Sequence, residues 1–302
     1  MGRLDVTKPD TMGVFRILQR ERFVRVAPLS IDDYRRFDAA SALFHRYTHW
    51  SKTIRVVQVN ETQLEVYLRE VQSRTLGMNA ANGDIGLILF EANRLLLNYL
   101  SAANMFIDHT KTFLKRRFGN HSSEATQYIA GTNKAYDGSF AYRFLTRLRS
   151  YALHCGVPIG LVEHTARHSS RTGSVSEELV LSFDVATLLR DYDGWSTVKA
   201  ELGALRPTIR LDKQVYEYTR ELEQLHVLAH DIQLPTLSNA AAAILAVLQP
   251  ALSPELDAVV AQVVDDGPGF TSHRYEPPPW DAMRELNLLP GELNSAAHHK
   301  PD

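Results

Sequence analysis

The sequence predicts a mainly α-helical protein with minor β structure, built around an antiparallel pair of long helices. Two observations predict this class. Residues 84–118 and 139–155 carry apolar side chains at helical spacing. Two shorter stretches, 13–28 and 159–184, are rich in β-branched residues, which favours strands and hairpins.

The first long helix is predicted over residues 84–118, with Asp84 as a candidate cap and Gly119 as the stop. At 100° per residue its side chains divide into two faces. The apolar face comprises Leu96, Tyr99, Ala103, Phe106 and Leu114, and the polar face comprises Arg94, Asn98, Ser101, Asp108, Thr112 and Lys115.

The second helix is predicted over residues 139–155. An apolar stripe recurs every three or four residues, at Phe140, Phe144, Leu148, Ala152 and Cys155. Gly156 and Pro158 follow, and both favour a helix end. Residues 119–138 show no clear pattern, so the two helices are expected to pack antiparallel on either side of a polar connection.

The remaining segments complete a four-part division. Residues 1–80 are predicted to be mixed α and β, with a strand or hairpin at 13–28, a helix starting at Ser30, and a strand, a turn and a further strand or helix at 52–72. Residues 81–160 form the helical core. Residues 161–265 hold a hairpin, a short helix capped by Asp184, and helices at 212–231 and 254–265. Residues 266–302 are Pro-rich and are expected to form a flexible tail.

Composition limits the classes of function. The chain has 302 residues, a net charge of −2 and one cysteine. A near-neutral charge gives no global attraction to nucleic acid or membrane. A single cysteine fits a reducing compartment. The most apolar stretch, 240–248, is shorter than a membrane span, so a soluble cytoplasmic protein is expected.

A short motif stands where the second helix should end. Arg149 is followed by Ser150 and, five positions on, by His154. An arginine, four intervening residues and a histidine, near a helix end and after a long amphipathic helix, resemble the HEPN superfamily over residues 84–158. Arg149, His154 and Ser150 then take the positions of the family's catalytic set, with Ser150 where many members have Asn, Asp or His.

This resemblance implies a metal-independent endoribonuclease without a cofactor. It also implies a homodimer acting on RNA, in a toxin–antitoxin or phage-defence system with an antitoxin or defence partner. Asn98, Ser101, Asp108 and Lys115 are candidates to line the RNA-binding cleft. The alternative is that the first three are ordinary solvent-facing residues and that Lys115 complements the helix dipole.

The residue types suit this chemistry. Histidine transfers protons near neutral pH, and the guanidinium fork of arginine binds two phosphate oxygens. Five positions turn about 500°, so the two side chains point about 140° apart and a two-fold partner is expected to complete the site. The alternatives are a structural C-cap histidine with a solvated arginine, and a non-catalytic helical binding protein of the same fold.

Two other clusters offer competing sites. Glu223, His226 and His230 follow helical spacing typical of metal ligands, but the histidines flank the apolar stripe, which favours a solvated helix edge. His164 and His168, with Arg167 and Arg171, form a basic hairpin edge, either merely exposed or touching RNA phosphate.

Overall fold

The computed structural model describes residues 4–19, 22–73, 82–168, 175–204, 207–265 and 271–294. It confirms a mainly helical fold with minor β structure. Contacts divide the chain into two units: Met1–His49 with Asp231–Asp302, and Trp50–His230. The division into four sequence segments stays a prediction.

The described elements are numbered in chain order. The strands are β1 Met12–Leu18, β2 Arg22–Pro28, β3 Leu161–His168, β4 Val175–Asp184, β5 Thr208–Arg210, β6 Ala258–Asp265 and β7 Thr271–Glu276. The helices are α1 Ile31–Ser73, α2 Asn82–Phe118, α3 Ser123–Gly138, α4 Phe140–His154, α5 Val185–Asp191, α6 Val198–Ala204, α7 Leu211–Leu248, α8 Trp280–Glu285 and α9 Gly291–Asn294.

The first unit contains a four-stranded antiparallel sheet in the order β2-β1-β6-β7. Phe15, Val259 and Ala261 are buried on one face, where Phe23 and Tyr275 pack against them. The hairpin expected at 13–28 is confirmed, because β1 and β2 pair antiparallel. The sheet needs strands from both ends of the chain.

The second unit contains the predicted helix pair. Helices α2, α3 and α4 pack against one another. Asn93, near the start of α2, exchanges two hydrogen bonds of 2.9 Å with the backbone of Ile159, just beyond the end of α4. The start of one helix therefore lies beside the end of the other, and the antiparallel arrangement is confirmed.

Local signals set several ends of these elements, but Asp84, the expected cap of the first long helix, lies inside α2, which begins at Asn82. The Ser139 hydroxyl accepts a hydrogen bond from the Tyr142 amide at the start of α4, and the Asp184 carboxylate caps α5 through Ala186. Gly119 and Gly156 have φ values of 110° and 151° after α2 and α4. Side chains other than glycine rarely adopt such angles, which explains both helix stops.

The strand and turn expected at 52–72 are wrong, because α1 continues as one helix to Ser73. The β-branched residues there favour a strand, but tertiary burial decides otherwise. The buried residues follow helical spacing: Ile54, Val57, Leu64, Leu68 and Val71. The polar connection expected at 119–138 is likewise mostly helix, because α3 is capped by the Ser122 hydroxyl.

The helix expected at 254–265 is also wrong. Residues 258–265 form β6, which pairs with β1 on one side and with β7 on the other. Ala258, Val259, Val260 and Ala261 are all buried, as in a central strand covered on both faces. A short apolar run of this kind does not distinguish a strand from a helix in the sequence.

The C-terminal stretch has more order than the composition suggests. Within the expected flexible tail, the described residues 271–294 form β7, α8 and α9. Met283 and Leu289 are buried. The expectation of a tail without a core therefore does not hold for residues 271–294, and it falls outside the described residues for 266–270 and 295–302.

One helix in the described part of the chain, Leu211–Ala251, is long and apolar enough to cross a membrane by length and composition. Of its most apolar window, 33% is buried. A core helix of a soluble protein passes the same test. The expectation that no segment is long enough to span a membrane considered only residues 240–248. Those residues are part of this much longer helix.

Candidate functional site

Arg149 lies on α4 and faces the second unit's interior. Its Nε atom is buried without a hydrogen-bond partner, and the guanidinium forms no ion pair with any described residue. Its charge acts on the Tyr218 hydroxyl of α7. Burial raises the pKa of Tyr218 to about 12, while the nearby Thr146 hydroxyl and the charge of Arg149 act to lower it. Arg149 therefore keeps an N–H group, at Nε, that donates no hydrogen bond to a described residue.

His154 is the last residue of α4 and is exposed. It makes no hydrogen bond to a described residue, so the C-cap contact considered for it is not formed there. The cap is made by the backbone instead, through a 2.8 Å bond from the Cys155 amide to the Tyr151 carbonyl. Its flanking side chains, Leu153 and Val157, are 63% and 64% exposed.

The motif residues do not converge within one chain. The α4 geometry places Arg149 and His154 about 140° apart. Arg149 is half-buried and its charge acts on Tyr218, His154 is exposed, and no described contact joins the two. Ser150 is half-buried beside Arg149. A site that uses both side chains is therefore not assembled within the described part of one chain.

The expected cleft residues on α2 are spread along the helix. Asn98 and Ser101 are exposed and Lys115 is half-buried, with no described contact to Arg149. From Asn98 to Lys115 the helix rises about 25 Å, too far for one contact region. Asp108 accepts a 2.8 Å hydrogen bond from Asn104, and its charge raises the pKa of Tyr218. The charges of Asp108 and Arg149 therefore act in opposite directions on the pKa of Tyr218. The roles of all four stay predictions.

The sequence reasoning overlooked Arg147. Seven positions turn about 700°, so Arg147 and His154 lie within about 20° on one side of α4. Its Nε atom is buried without a hydrogen-bond partner. The pKa of Tyr136 is lowered mainly by its hydrogen bond with Thr197. Arg147 lowers it further, to a smaller degree. The seven-residue spacing was the signal that could have found it.

The possible metal site on α7 is not assembled. No group of three or more His, Cys, Asp or Glu side chains suited to a metal occurs among the described residues. His226 instead stacks on Trp50 at 5.1 Å and lies 6.1 Å from the Phe106 ring. Burial, and then the neighbouring His230, lower the pKa of His226. His226 is thus a packed core residue.

The structure describes only part of the basic hairpin edge. His164 is exposed on β3, which pairs with β4 as expected. Arg171 and the side chains of Arg167 and His168 lie outside the described residues. Contact of this edge with RNA phosphate stays a prediction.

A carboxylate pair on α1 was missed because its segment was expected to be a strand and a turn. Glu61 and Glu65 are one helical turn apart. Burial raises the pKa of Glu61 from its usual 4.5 to about 7, and Glu65 and then Glu223 of α7 add to that rise. Thr219, which hydrogen-bonds the buried Tyr99 hydroxyl at 2.8 Å, acts in the opposite direction. The pair therefore favours a protonated Glu61 near the α2–α7 contact.

This arrangement predicts a pH dependence of stability. Below pH 4.5, Glu61 is protonated in both the folded and the unfolded chain. Between 4.5 and about 7 the unfolded chain releases the proton first, so the free energy of unfolding falls as pH rises. Because solvent reaches Glu61, the free energy of unfolding should fall by only about 1 kcal/mol.

Urea unfolding of wild type and Glu61→Gln at pH 5 and pH 8 measures this effect. The wild type should lose more stability than the variant between the two values. Glu217→Gln, which changes an exposed carboxylate of α7, serves as the control and should behave like wild type. If wild type and Glu61→Gln lost equal free energy of unfolding between pH 5 and pH 8, the raised pKa of Glu61 would be contradicted.

Comparisons with known proteins give no relative. The sequence matches no protein-family model and no curated protein, and the fold matches no solved structure. The similarity to the HEPN superfamily therefore rests on the Arg149–His154 motif and its helical setting.

Proposed function

We propose that this protein is a HEPN-like, metal-independent endoribonuclease that acts as a cytoplasmic homodimer. The observation that supports it best is the state of Arg149. A half-buried guanidinium without an ion pair among the described residues keeps its charge and donors available for a phosphate. The HEPN resemblance implies a toxin–antitoxin or phage-defence role, in which an antitoxin or defence partner controls cleavage.

Each residue has a defined task in this proposal. RNA cleavage needs proton transfer at the 2′-hydroxyl and the leaving oxygen, together with cations for the charge that develops on the phosphate. His154 is exposed at the end of α4, where its ring nitrogens are accessible for proton transfer with the RNA. Arg149 supplies the forked phosphate contact. Ser150 adds a short hydroxyl beside Arg149.

Two chains are required because one chain separates the two groups. The proposed site takes Arg149 from one protomer and His154 from its partner, related by a two-fold axis. A homodimer then carries two equivalent sites. Among the described residues, neither the Arg149 Nε atom nor the His154 ring has a hydrogen-bond partner, which is consistent with a site shared between chains.

A subunit-mixing experiment tests this arrangement. Arg149→Ala and His154→Ala proteins should each be inactive on RNA when alone. After unfolding and refolding together, half of the dimers are mixed and one of their two sites holds both groups. Cleavage should then recover to about a quarter of the wild-type rate.

Two controls accompany the subunit-mixing experiment. Mixing each variant with itself should restore nothing, and Arg220→Ala, which changes an exposed arginine of α7, should retain full activity. An active wild type whose variants never complement would contradict a site shared between chains. If Arg147→Ala is inactive while Arg149→Ala is active, the arginine role would belong to Arg147.

The second candidate is a non-catalytic helical binding protein of the same fold. The separation of Arg149 from His154 within a chain favours it, as does Ser150 in place of the larger polar residues. This candidate predicts a folded wild type that binds its partner and leaves RNA intact.

A further inference from the structure

Three polar side chains from different elements meet beside α4. They are defined here as the Arg147 site: Tyr136 of α3, Arg147 of α4, and Thr197 just before α6. The hydroxyl oxygens of Tyr136 and Thr197 lie 3.4 Å apart. Arg147 acts on the same Tyr136 hydroxyl, both by hydrogen bonding and through its charge. The site therefore gathers two hydroxyl groups and one guanidinium around a single position.

Arg147 lacks an anionic partner in the part of the chain that the structure describes. The neighbouring Arg143 pairs with Glu201, whereas Arg147 forms no ion pair with a described residue. Its Nε atom is buried without a hydrogen-bond partner. A buried donor of a charged group costs free energy until an acceptor meets it, and carboxylate or phosphate oxygens are the strongest acceptors for a guanidinium. The site therefore suits an anion that comes from outside the chain.

Two acidic groups close to the site are already paired. Arg143 donates hydrogen bonds of 3.1 and 2.7 Å to the Glu201 carboxylate, and a further one to the backbone carbonyl of Tyr136. Asp193 pairs with Lys199 at 3.1 Å. Arg143 thus fixes the end of α3 on α4, which holds Tyr136 in place before any ligand binds.

The charge around the Tyr136 hydroxyl is positive. Arg147 and then Arg143 both lower the pKa of Tyr136 through their charges. The exposed carboxylate of Asp137 is next in the chain, but one helical position turns it about 100° around α3. The Arg147 site therefore presents a cationic surface with hydroxyl donors, which complements a phosphate group.

We propose that the Arg147 site binds a backbone phosphate of the RNA strand, an assignment that rests on the proposed ribonuclease function. Arg147 and His154 lie within about 20° on one side of α4 and about 10 Å apart along its axis. That separation is larger than one phosphate group, so Arg147 holds a phosphate other than the one at the cleaved bond. The hydroxyls of Tyr136 and Thr197 rotate to donate to the same phosphate. The site anchors the strand and transfers no proton.

RNA binding to the full-length His154→Ala protein tests the site without cleavage. The probe is a labelled single-stranded oligouridylate, followed by fluorescence anisotropy. Adding Arg147→Ala should raise the dissociation constant at least about tenfold, since a hydrogen bond to a charged group is lost. The slope of log Kd against log salt concentration should fall by about 0.7, which corresponds to one phosphate contact on a single strand.

Arg220→Ala in the same background is the matched control, because Arg220 is an exposed arginine of α7. It should change neither the dissociation constant nor the salt slope. An unchanged dissociation constant and salt slope for Arg147→Ala would overturn the proposal.

Milder substitutions separate the phosphate contact from the fold. Arg147→Lys keeps the charge and loses the fork, so it should retain the salt slope while binding RNA more weakly. Tyr136→Phe removes one hydroxyl and should weaken binding about threefold, with an unchanged unfolding temperature. If both variants bound RNA as tightly as the parent protein, no phosphate would contact this site.

Cleavage kinetics distinguish the anchor from the catalytic set. With His154 present, Arg147→Ala should raise KM about tenfold and leave kcat within about twofold, because it weakens binding alone. A large loss of kcat would make Arg147 a catalytic residue and overturn the anchoring role. Normal kinetics for Arg147→Ala would refute the anchor and leave the ribonuclease intact. RNA that the wild type neither binds nor cleaves would refute the ribonuclease itself.

Competition with uridine monophosphate identifies the source of the phosphate. A strand contacts the protein through several phosphates, so the mononucleotide should displace the labelled RNA only at concentrations far above the dissociation constant of the RNA. If the mononucleotide bound as tightly as the RNA, and lost that affinity in Arg147→Ala, the site would take a free nucleotide. That result would overturn the assignment to an RNA strand.

Discussion

Replacing His154 with alanine should abolish RNA cleavage and leave the fold intact. Loss of a general acid or base lowers a rate by about 10²–10⁴. The structural cost should be small, because His154 is exposed and makes no hydrogen bond to a described residue. Cleavage rates on a labelled RNA, together with thermal unfolding, measure the two effects separately.

His109→Ala provides a matched control, since His109 is an exposed histidine of α2 in the same unit. It should cleave at the wild-type rate. Wild-type cleavage by His154→Ala would remove His154 from the mechanism. A large fall in unfolding temperature would instead mean that the histidine holds the end of α4 together.

Replacing Trp195 with alanine should give the largest loss of stability in the second unit. Trp195 is fully buried and stacks on Phe144 and Tyr151 of α4 at 5.8 and 5.9 Å. Its Nε1 atom donates a 2.9 Å hydrogen bond to the Leu188 carbonyl. Removing a core tryptophan costs about 3–5 kcal/mol, because the cavity relaxes only in part.

Chemical denaturation of Trp195→Ala and Trp195→Phe checks this. Phenylalanine keeps most of the ring stacking but loses the hydrogen bond to Leu188. Trp195→Phe should therefore lose clearly less stability than Trp195→Ala. Tyr151 is three residues before His154, so Trp195→Ala should also lower any cleavage activity by loosening the end of α4. A loss below 1 kcal/mol for the alanine variant would contradict the packing around Trp195.

Local signals were sufficient for much of the fold. The apolar periodicity of 84–118, the Gly156–Pro158 stop and the Asp184 cap are contained within short segments, and each was predicted. The helix through 52–72 and the strand at 258–265 depend on distant neighbours. β6 is central only because β1, about 240 residues away, pairs with it. No local pattern carries that information.

The candidate site was predictable in part. Helical geometry alone indicated that Arg149 and His154 diverge within one chain. The approach of Arg149 to Tyr218 was not predictable, since α4 and α7 are separated by a hairpin and two short helices. Glu61 was missed because its helix was mistaken for a strand and a turn, which hid its pairing with Glu65.

The most direct test of the proposed activity is cleavage of a single-stranded RNA by purified wild-type protein with excess EDTA present. The proposal predicts cleavage at the same rate with and without EDTA, and its loss in His154→Ala. Intact RNA under both conditions would contradict the ribonuclease assignment and favour the binding protein. Cleavage that stops in EDTA and returns with Zn²⁺ or Mn²⁺ would contradict the metal-independent site at Arg149 and His154.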